Sequence, residues 1–395
     1  MHILFLGGFA LYPKGTMSAR ALPLAQALAR RGHRVTLLLA PWDHPQDAGK
    51  LLTLDGVQVV NTPLAPGIPG WWHTVLTSYL LRQTLALQPQ VVHAFKPKGF
   101  SGLVALALWT LRKFGKFQGR LVIDADDWEG DSGWNLVGGY NPLERAFFSW
   151  QERWLLSHAD AVTVASCALV ERAARLRRGK QSVYYLPNGA TTVRERAPER
   201  GRVVRQQLDL GEAPVVLWFT RFIEAPPDRV VGILGQIVRR CPEAKFLVVG
   251  AGLRGEEGFF QRSLVRAGLA SKVMQTGWVE PENLADYFAA ADVAIYPLED
   301  SLVNRAKCPA KLALLLSYGL PVVADAVGQA REYIVHNESG LLVSNGSEET
   351  FAATVTRLLQ DHPLRQRMAY SAKERMRKIF GWDILVAQAL GAYGL

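Results

Sequence analysis

The hydrophobic positions of this chain fall into two patterns that alternate along it. Short runs rich in leucine and β-branched residues are typical of strands buried in a parallel sheet. Longer stretches between them carry apolar residues on one helix face, and we expect the first such helix to run from Ser18, a good N-cap, to Arg31. The predicted strands of the first half are His2–Leu6, Val35–Leu39, Val57–Asn61, Val91–Ala94, Leu121–Asp124, Ala161–Ala165 and Val183–Leu186.

The second half repeats the same alternation. Its predicted strands are Val215–Phe219, Phe246–Gly250, Val273–Gln275, Val293–Tyr296 and Val322–Ala324. Parallel strands need a crossover between them, and here each crossover has a helical pattern. The sequence therefore predicts an α/β fold with two doubly wound, parallel-sheet (Rossmann-like) domains.

The domain boundaries follow from breaks in this pattern. The turn at Pro187–Gly189 closes the first set of strands, and an Arg- and Glu-rich segment follows it. We assign residues 1–190 to an N-terminal domain and 191–372 to a C-terminal domain. Residues 373–395 form a predicted helical tail that returns to the first domain. Because ligands of parallel sheets bind at the carboxyl ends of the strands, we expect the two domains to face each other across a ligand-binding cleft.

Composition removes several classes of protein. The chain has 395 residues, of which 49% are hydrophobic and 20% are charged, so it has the composition of a folded protein rather than a disordered one. The first residues lack a basic leader and no apolar stretch is long enough to span a bilayer, which predicts a cytoplasmic protein. Cys167, Cys241 and Cys308 are far apart and odd in number, so we expect reduced thiols without a disulfide or a zinc site.

The positive charge is concentrated in the first half. Residues 1–190 carry 20 Lys and Arg against 12 Asp and Glu, a net charge of +8, while residues 191–395 carry 25 against 23, a net charge of +2. A basic half suits an anionic partner such as a membrane surface, a pyrophosphate or a nucleic acid, although a solvated basic surface explains it equally well. No helix-turn-helix, zinc or RNP-type pattern accompanies the charge, so we exclude nucleic acid as the partner.

Six short segments, taken in order, resemble a known family. They are Arg30–Thr36, Pro187–Gly189, Thr276–Val279, Ala291–Val293, Gly319–Ala324 and Gly340–Val343. On these segments the chain is similar to GT-B-fold glycosyltransferases of family GT4. The resemblance implies transfer of a sugar, with retention of anomeric configuration, from a nucleotide sugar held by the second domain to an acceptor held by the first. It also implies that no metal and no cofactor is needed beyond the nucleotide-sugar co-substrate, with a UDP- or GDP-sugar as the expected donor.

The resemblance places donor-binding residues in the second domain, with two departures. Arg221, after a predicted strand, resembles the family's diphosphate-binding arginine. Pro226 stands where relatives carry a lysine, and Ala306 and Leu314 stand at the two glutamate positions of the family's E-x7-E motif. The chain is therefore an atypical member, and one phosphate-binding cation has to be replaced.

Candidate replacement cations lie on both sides of Pro309, where a helix is predicted to start. Arg305, Lys307 and Lys311 surround this helix start, where free N–H groups and the helix dipole favour a diphosphate. A basic loop that only caps a packed helix is the alternative. The remaining donor-binding predictions are Gly15 and Thr16, which resemble the family's glycine-rich loop, Gly250 at a strand end, and Val279.

Acidic residues cluster after the predicted strand Leu121–Asp124. Asp126 and Asp127 lie nearest to the position where relatives have a histidine, and we predict them as the catalytic carboxylates. Trp128 and Glu129 are predicted to bind the acceptor. A divalent cation site and a purely structural loop are the alternatives. Between metal binding and sugar or acceptor binding, we favour sugar or acceptor binding without a metal.

Two lysines and several aromatic residues complete the predicted acceptor side. Lys96 and Lys98, after the strand Val91–Ala94, are expected to bind an acceptor phosphate or to pair with the acidic cluster. Trp71 and Trp72 precede an apolar helix, and Trp side chains suit both membrane interfaces and sugar faces, although core packing also explains them.

These observations support one leading function and one rival. The leading function is a glycosyltransferase acting on a glycan or lipid-linked acceptor, with peripheral contact to an anionic membrane. The rival is a catalytically impaired GT-B homologue that binds a nucleotide sugar or serves as a partner subunit, because the two family glutamates and one lysine are absent.

Overall fold

The computed structural model describes residues 1–12, 15–64, 72–130, 132–179, 181–190, 196–252, 254–344 and 346–395. The chain forms two compact units. Unit 1 comprises residues 1–189, 306–308 and 382–395, and unit 2 comprises residues 190–305 and 309–381. Trp71, predicted to border a ligand opening, lies outside the described residues.

Unit 1 is built on an eight-stranded sheet. Its strands are β1 His2–Gly7, β2 Arg34–Leu39, β3 Leu51–Leu54, β4 Val57–Asn61, β5 Val91–Phe95, β6 Arg120–Ala125, β7 Ala161–Val164 and β8 Val183–Tyr185. Their spatial order is β3-β4-β2-β1-β5-β6-β7-β8, and all pairs are parallel except the antiparallel pair β3–β4. The order runs outward from β1 in both directions, which makes the sheet doubly wound.

Unit 2 is built on a six-stranded parallel sheet. Its strands are β9 Val215–Phe219, β10 Lys245–Val249, β11 Val273–Gln275, β12 Val293–Tyr296, β13 Val322–Asp325 and β14 Leu341–Val343. Their order is β11-β10-β9-β12-β13-β14. The prediction of an α/β fold with two doubly wound parallel sheets is confirmed.

Helices connect nearly all of these strands. In chain order they are α1 Leu22–Arg30, α2 Trp72–Ala86, α3 Gly99–Lys113, α4 Trp134–Val137, α5 Pro142–His158, α6 Cys167–Leu176, α7 Pro198–Gln207, α8 Pro227–Arg240, α9 Glu256–Arg266, α10 Leu284–Ala289, α11 Leu302–Ala306, α12 Ala310–Ser317, α13 Ala330–Tyr333, α14 Glu348–Gln360, α15 His362–Ile379 and α16 Trp382–Tyr393. Short 3₁₀ turns lie at Pro45–Asp47, Ala270–Lys272 and Pro281–Asn283, and a π-helical turn at Thr16–Ala21 leads into α1. Within the described ranges, no helix has both the length and the apolar character to cross a bilayer.

Each unit has its own apolar core. In unit 1, side chains of the central strands, such as Phe5 and Leu37, pack with α1 and with Leu385, Val386 and Ala389 of α16. In unit 2, strands β9 and β10 pack with α8 and α14 through residues that are almost fully buried. The last helix of the chain is therefore part of the core of unit 1.

The structure corrects several boundaries that the sequence pattern predicts. The first helical segment begins before Ser18, which lies inside the π-helical turn and is not an N-cap. Pro309 is the N-cap of α12 rather than its first residue. Residues 373–381, predicted as part of the tail, belong to unit 2, so the segment that joins unit 1 begins at Trp382.

Candidate functional site

The carboxyl ends of β5 and β6 bring the predicted lysines and carboxylates of unit 1 together. Phe95 pairs in register with Asp124, so the residues after these two strands start from the same edge of the sheet. The backbone N–H of Lys96 donates to the carbonyl of Asp124 at 3.1 Å, which holds the two loops together. The predicted catalytic and acceptor-side residues thus lie in one cluster.

Lys96 is the centre of this cluster. Its ammonium nitrogen lies 3.2 Å from Asp126, 2.8 Å from Asp127 and 2.8 Å from Glu129. The residue has φ +65°, a left-handed conformation that is costly for a side chain with a Cβ. Burial opposes the charge of the ammonium, but the three carboxylates raise the pKa of Lys96 well above its ordinary value.

Oxygen atoms of Asp126, Asp127 and Glu129 lie close enough together for a metal ion. The Lys96 ammonium, however, already makes contact with all three carboxylates. A divalent cation among them would have to displace this positive charge or lie beside it, which is unfavourable at such short range. The arrangement therefore fits an internal ion-pair network better than a metal centre.

Asp126 differs from Asp127 and Glu129 in the direction of its pKa shift. Its Oδ2 accepts a hydrogen bond from the Thr16 hydroxyl at 2.9 Å, while its Oδ1 accepts no hydrogen bond within the described part of the chain. Burial raises the pKa of Asp126 to about 6, with Asp127 and Asp124 adding to the rise and Lys96 opposing it. This carboxylate is therefore a candidate base or hydroxyl acceptor near neutral pH.

The other two carboxylates are held ionised. Burial acts to raise the pKa of both Asp127 and Glu129, but the Lys96 ammonium outweighs it and lowers both pKa values. Lys307 contributes further to Asp127, and Lys98 to Glu129. Lys307, predicted as a donor-binding residue, is grouped with unit 1, and its role in donor binding stays a prediction.

Buried contacts fix the loop that carries these residues. Glu152 of α5 accepts hydrogen bonds from the backbone N–H groups of Glu129 and Gly130 at 3.1 and 3.0 Å, and it pairs with Arg172 at 2.5 Å. The Arg172 guanidinium lies 3.9 Å from the centre of the Trp128 ring. Trp128 and Glu129, predicted to bind the acceptor, thus also build the loop.

Lys98 has a comparable structural role. It pairs with the buried carboxylate of Glu129, donates to Asn135 Oδ1 at 3.1 Å and lies 5.0 Å from the centre of the Tyr140 ring. These contacts hold the β5 loop against the segment that follows the acidic loop.

A second polar network lies beneath the cluster, and the sequence reasoning missed it. Arg20 donates two hydrogen bonds to Asp124, at 2.7 and 2.6 Å, and both side chains are fully buried. Arg20 also donates to Asn188, whose side chain binds the carbonyl of Cys308 at 2.7 Å. The sequence did contain a signal for this network, namely a charged or polar residue inside an otherwise apolar strand or helix.

The same network reaches the last helix. Thr163 donates to Asp124 at 2.6 Å, so its oxygen accepts from His93 Nε2 at 2.9 Å, and His93 Nδ1 in turn accepts from the Tyr393 hydroxyl at 2.8 Å. Burial lowers the pKa of His93 to about 4 and raises that of Tyr393 well above its ordinary value. Both groups are therefore neutral at pH 7, and the chain of hydrogen bonds has one direction.

In unit 2, the loop after β9 carries the predicted arginine. Arg221 is half-buried there and belongs to a tight turn in which Thr220 accepts from the backbone N–H of Phe222 at 2.7 Å. Glu224, which the sequence reasoning missed, is buried in the same loop and accepts from Lys311 at 2.9 Å. The charge of Lys311 is thus largely offset by Glu224.

Two other predicted donor residues of unit 2 have different surroundings: Gly250 lies next to this loop, and Val279 lines a cavity. Gly250 has φ +122°, and a Cβ there would lie 2.0 Å from the carbonyl oxygen of Thr220, so only glycine fits beside the loop. Val279 lines a cavity of about 510 Å³ together with Thr276, Trp278 and Tyr287. Arg305 is 59% exposed and forms an ion pair with Asp300, and its role in donor binding stays a prediction.

Two family descriptions match the chain. "Glycosyl transferase 4-like domain" matches residues 15–189, and "Glycosyl transferases group 1" matches residues 213–361. The first match falls in unit 1 and the second in unit 2, so each family description coincides with one sheet.

The chain is similar to characterised bacterial enzymes. A GDP-mannose-dependent alpha-(1-6)-phosphatidylinositol monomannoside mannosyltransferase of Mycobacterium tuberculosis is 26% identical over 369 residues, which cover 92% of this chain and 90% of that protein. A D-inositol 3-phosphate glycosyltransferase of Xylanimonas cellulosilytica is 30% identical over 195 residues, 48% of this chain and 44% of that protein.

Solved structures share the fold over the whole chain. A sucrose-phosphate synthase from Thermosynechococcus elongatus aligns with a TM-score of 0.76 at 20% identity and covers 100% of this chain and 98% of that one. Anabaena HepE in complex with UDP aligns with a TM-score of 0.74 at 20% identity, with both chains covered completely.

The fold is that of a two-domain, Rossmann-like GT-B glycosyltransferase. The chain belongs to the group 1 glycosyltransferases, family GT4, and is an enzyme of nucleotide-sugar-dependent glycosyl transfer. The predicted family, fold and general function are confirmed.

Proposed function

We propose that the chain is a retaining glycosyltransferase that moves a hexose from a UDP- or GDP-sugar to a glycan or lipid-linked acceptor. The observation that carries the proposal is the strand-end cluster of unit 1, in which Asp126 is buried, has a raised pKa, and has an Oδ1 that lies 3.2 Å from the Lys96 ammonium and accepts no hydrogen bond within the described residues. This oxygen still has lone pairs for a substrate hydroxyl beside the Lys96 ion pair.

Asp126 is the proposed acceptor-side base. Its Oδ1 accepts the proton of the acceptor hydroxyl as that oxygen bonds to the anomeric carbon from the same face that the nucleoside diphosphate leaves. The nucleoside diphosphate takes the electrons of the old bond, and attack from the same face retains the anomeric configuration. A pKa of about 6 leaves the carboxylate ionised at pH 7 but still basic enough to take the proton. During this step Asp127 stays ionised and Lys96 stays protonated.

The remaining acceptor-side residues shape the site. Lys96 and Lys98 hold the two strand-end loops, and Glu129 anchors them from a buried position. Trp128 offers a half-buried ring supported by Arg172, and an aromatic face of this kind suits a sugar ring. Gly15 and Thr16 place the beginning of the first helical segment against Asp126.

We assign the donor to unit 2. Arg221 is the proposed diphosphate ligand, because a guanidinium forms strong, paired hydrogen bonds with phosphate oxygens. Gly250 allows the β10 end to approach the loop of Arg221 closely, and Lys311 orders that loop through Glu224. The cavity beside Val279 has a volume suited to a nucleoside.

Donor and acceptor identity rest on similarity. The Mycobacterium tuberculosis relative is named for GDP-mannose and for a phosphatidylinositol mannoside acceptor, while a structural neighbour was solved with UDP-glucose. A lipid-linked acceptor and contact with an anionic membrane agree with the +8 charge of residues 1–190.

A donor panel tests this function. The protein is incubated with UDP-, GDP-, ADP- and dTDP-sugars, released nucleoside diphosphate is measured, and the anomeric configuration of any product is read by NMR. We expect release from a UDP- or GDP-sugar and a product with the donor's configuration. Absence of release from every donor, in the presence of membrane extract as an acceptor source, would contradict the proposal.

A further inference from the structure

Helix α5 buries Leu155 and Leu156, but it also exposes several large apolar side chains and buries several polar ones. Its buried side includes Ser149, Gln151 and Glu152, whereas its outward side exposes Leu143, Phe147 and Trp150. These outward residues are 83%, 40% and 43% exposed, and their spacing of four and three residues places them on one stripe. A helix that packs only on its own sheet would show the opposite arrangement.

The stripe continues into a larger aromatic surface. The Trp150 and Trp154 rings lie 6.4 Å apart, and the Trp154 and Trp109 rings 4.6 Å apart, which connects α5 to α3. Beyond α3, Phe114 is among the exposed large hydrophobic side chains, as are Leu136 and Val137 of α4. We call the residues Leu136, Val137, Leu143, Phe147, Trp150 and Phe114 the α5 surface.

Positive charge borders this surface. Lys113 lies 3.8 Å from the centre of the Trp109 ring. Lys116, three residues after the end of α3, and Arg153 of α5 are exposed. Both acidic residues of α5 are engaged, since Glu144 closes the capping box and Glu152 pairs with Arg172. Asp160, two residues after α5, pairs with Arg112. An aromatic and aliphatic stripe with basic neighbours is complementary to an anionic lipid interface.

Helix α5 connects the α5 surface to the acceptor-side cluster. On the inward face of α5, Gln151 accepts from the backbone N–H of Gly99 at 2.9 Å, and Glu152 holds the loop of Glu129. Asn135 of α4, which precedes Leu136, accepts from Lys98. One helix therefore holds the proposed acceptor site on one side and the exposed aromatic stripe on the other.

We propose that the α5 surface is the site at which this protein docks on the interface of an anionic lipid bilayer. Leu143, Phe147 and Trp150 enter the headgroup and upper acyl region, and Lys113, Lys116 and Arg153 contact lipid phosphates. Exposed leucine and valine beside the aromatic rings favour a lipid rather than a sugar polymer, because sugar-binding surfaces rely on flat rings. Delivery of a lipid-linked acceptor to Asp126 by this docking rests on the proposed function; the lipid binding itself does not.

Vesicle co-sedimentation of the full chain tests the docking site. The vesicles consist of phosphatidylcholine alone or of equal parts phosphatidylcholine and phosphatidylglycerol. The test variant is Leu143→Gln with Phe147→Gln and Trp150→Gln, which keeps the helix propensity of α5. The matched control is Phe259→Gln with Val265→Gln and Tyr370→Gln, three exposed apolar residues of unit 2. Both proteins are first compared with the parent by thermal melting.

We expect the parent and the control to bind mixed vesicles and the test variant to bind them at least about ten-fold more weakly, since each inserted side chain contributes hydrophobic transfer energy. Lys113→Gln with Lys116→Gln should weaken binding only to the mixed vesicles, by about ten-fold, and added salt should have a smaller effect on this variant. Equal sedimentation of parent and test variant overturns the proposal. Light scattering that shows a dimer lost in the test variant, without vesicle binding by the parent, would identify a second copy as the occupant and also overturn it.

A third readout separates this proposal from the proposed function. Nucleotide release from the donor panel is measured without lipid for the parent and the test variant, and we expect equal rates. Vesicle binding without release from any donor would leave the docking site standing and remove the proposed function. Release without vesicle binding would do the reverse.

Discussion

At the scale of single residues, Asp126 combines burial with a raised pKa. The group is buried among Asp127, Asp124 and Lys96, and its folded-state pKa of about 6 lies above the ordinary value of 3.8. Between these two pH values the folded protein binds more protons than the unfolded chain, so its stability falls as the pH rises. Unit 1 therefore carries the full cost of this ionised carboxylate at pH 7.

Asp126→Asn is expected to raise the stability of the protein at pH 7 by on the order of 1 to 3 kcal/mol, because it removes that cost. The gain should disappear below about pH 4, where the carboxyl group is protonated in both states. Denaturant unfolding at both pH values measures the difference. A variant that is less stable than the parent at pH 7 would show that the carboxylate is needed as a partner of Lys96.

Arg221 is a residue-scale test of the donor assignment. Arg221→Ala is expected to weaken binding of a nucleoside diphosphate by about ten-fold or more, since a hydrogen bond to a charged group contributes about 1.5 to 3 kcal/mol. Calorimetry with the nucleoside diphosphate and with the nucleoside alone measures the effect, and the nucleoside should be affected much less. Arg377→Ala is the matched control, because Arg377 pairs with Glu374 at the surface of unit 2. Equal losses for the two ligands would place the phosphates elsewhere.

At the scale of elements, the pair of Glu224 and Lys311 joins the β9 loop to α12. Lys311→Met leaves a buried carboxylate without its cation and is expected to lower the stability of the protein by about 3 to 5 kcal/mol. Adding Glu224→Gln should recover most of this loss. A double-mutant cycle by denaturant unfolding measures the coupling, and single variants with no effect would contradict the structural role given to the pair.

One of the contacts between the last helix and the first sheet is a hydrogen bond from the buried phenol of Tyr393 to His93. Tyr393→Phe removes the donor to His93 and is expected to cost about 1 to 3 kcal/mol, because a buried ring nitrogen loses its partner. Tyr370→Phe, at an exposed tyrosine, is the control. Thermal melting and the NMR signal of the His93 ring report the change. An unchanged melting temperature and an unchanged His93 signal would show that the hydrogen bond contributes little.

The elements were mostly predictable because their patterns are local. Buried runs such as Val35–Leu39 and Val293–Tyr296 fix strands by composition and length. Strand β3, Leu51–Leu54, was missed because it is an antiparallel edge strand with exposed leucines, which breaks the rule that parallel strands are buried. The first helical segment begins before Ser18 because the π-helical turn is held by Arg20 and Thr16, which bind distant carboxylates.

At the scale of the whole molecule, the order of the short motifs identified the family. The candidate site was only partly predictable. The sequence predicted that Lys96, Asp126 and Asp127 lie close together, because neighbouring strand ends are close in a parallel sheet. It could not show that Tyr393 reaches His93 or that Lys307 joins unit 1, because these contacts join segments more than 100 residues apart. Such pairings depend on packing that no local pattern encodes.

The most direct test of the account compares the parent with Asp126→Asn in two measurements on the same preparations: affinity for the nucleoside diphosphate by calorimetry, and sugar transfer from the donor selected by the panel. We predict equal affinity and a loss of transfer of at least about a hundred-fold, as expected when a general base is removed. In the parent, kcat/KM should rise with pH through about 6, since the base must be ionised. Unchanged transfer by Asp126→Asn, or loss of nucleotide affinity in unit 2 from this change in unit 1, would contradict the assignment of the catalytic carboxylate.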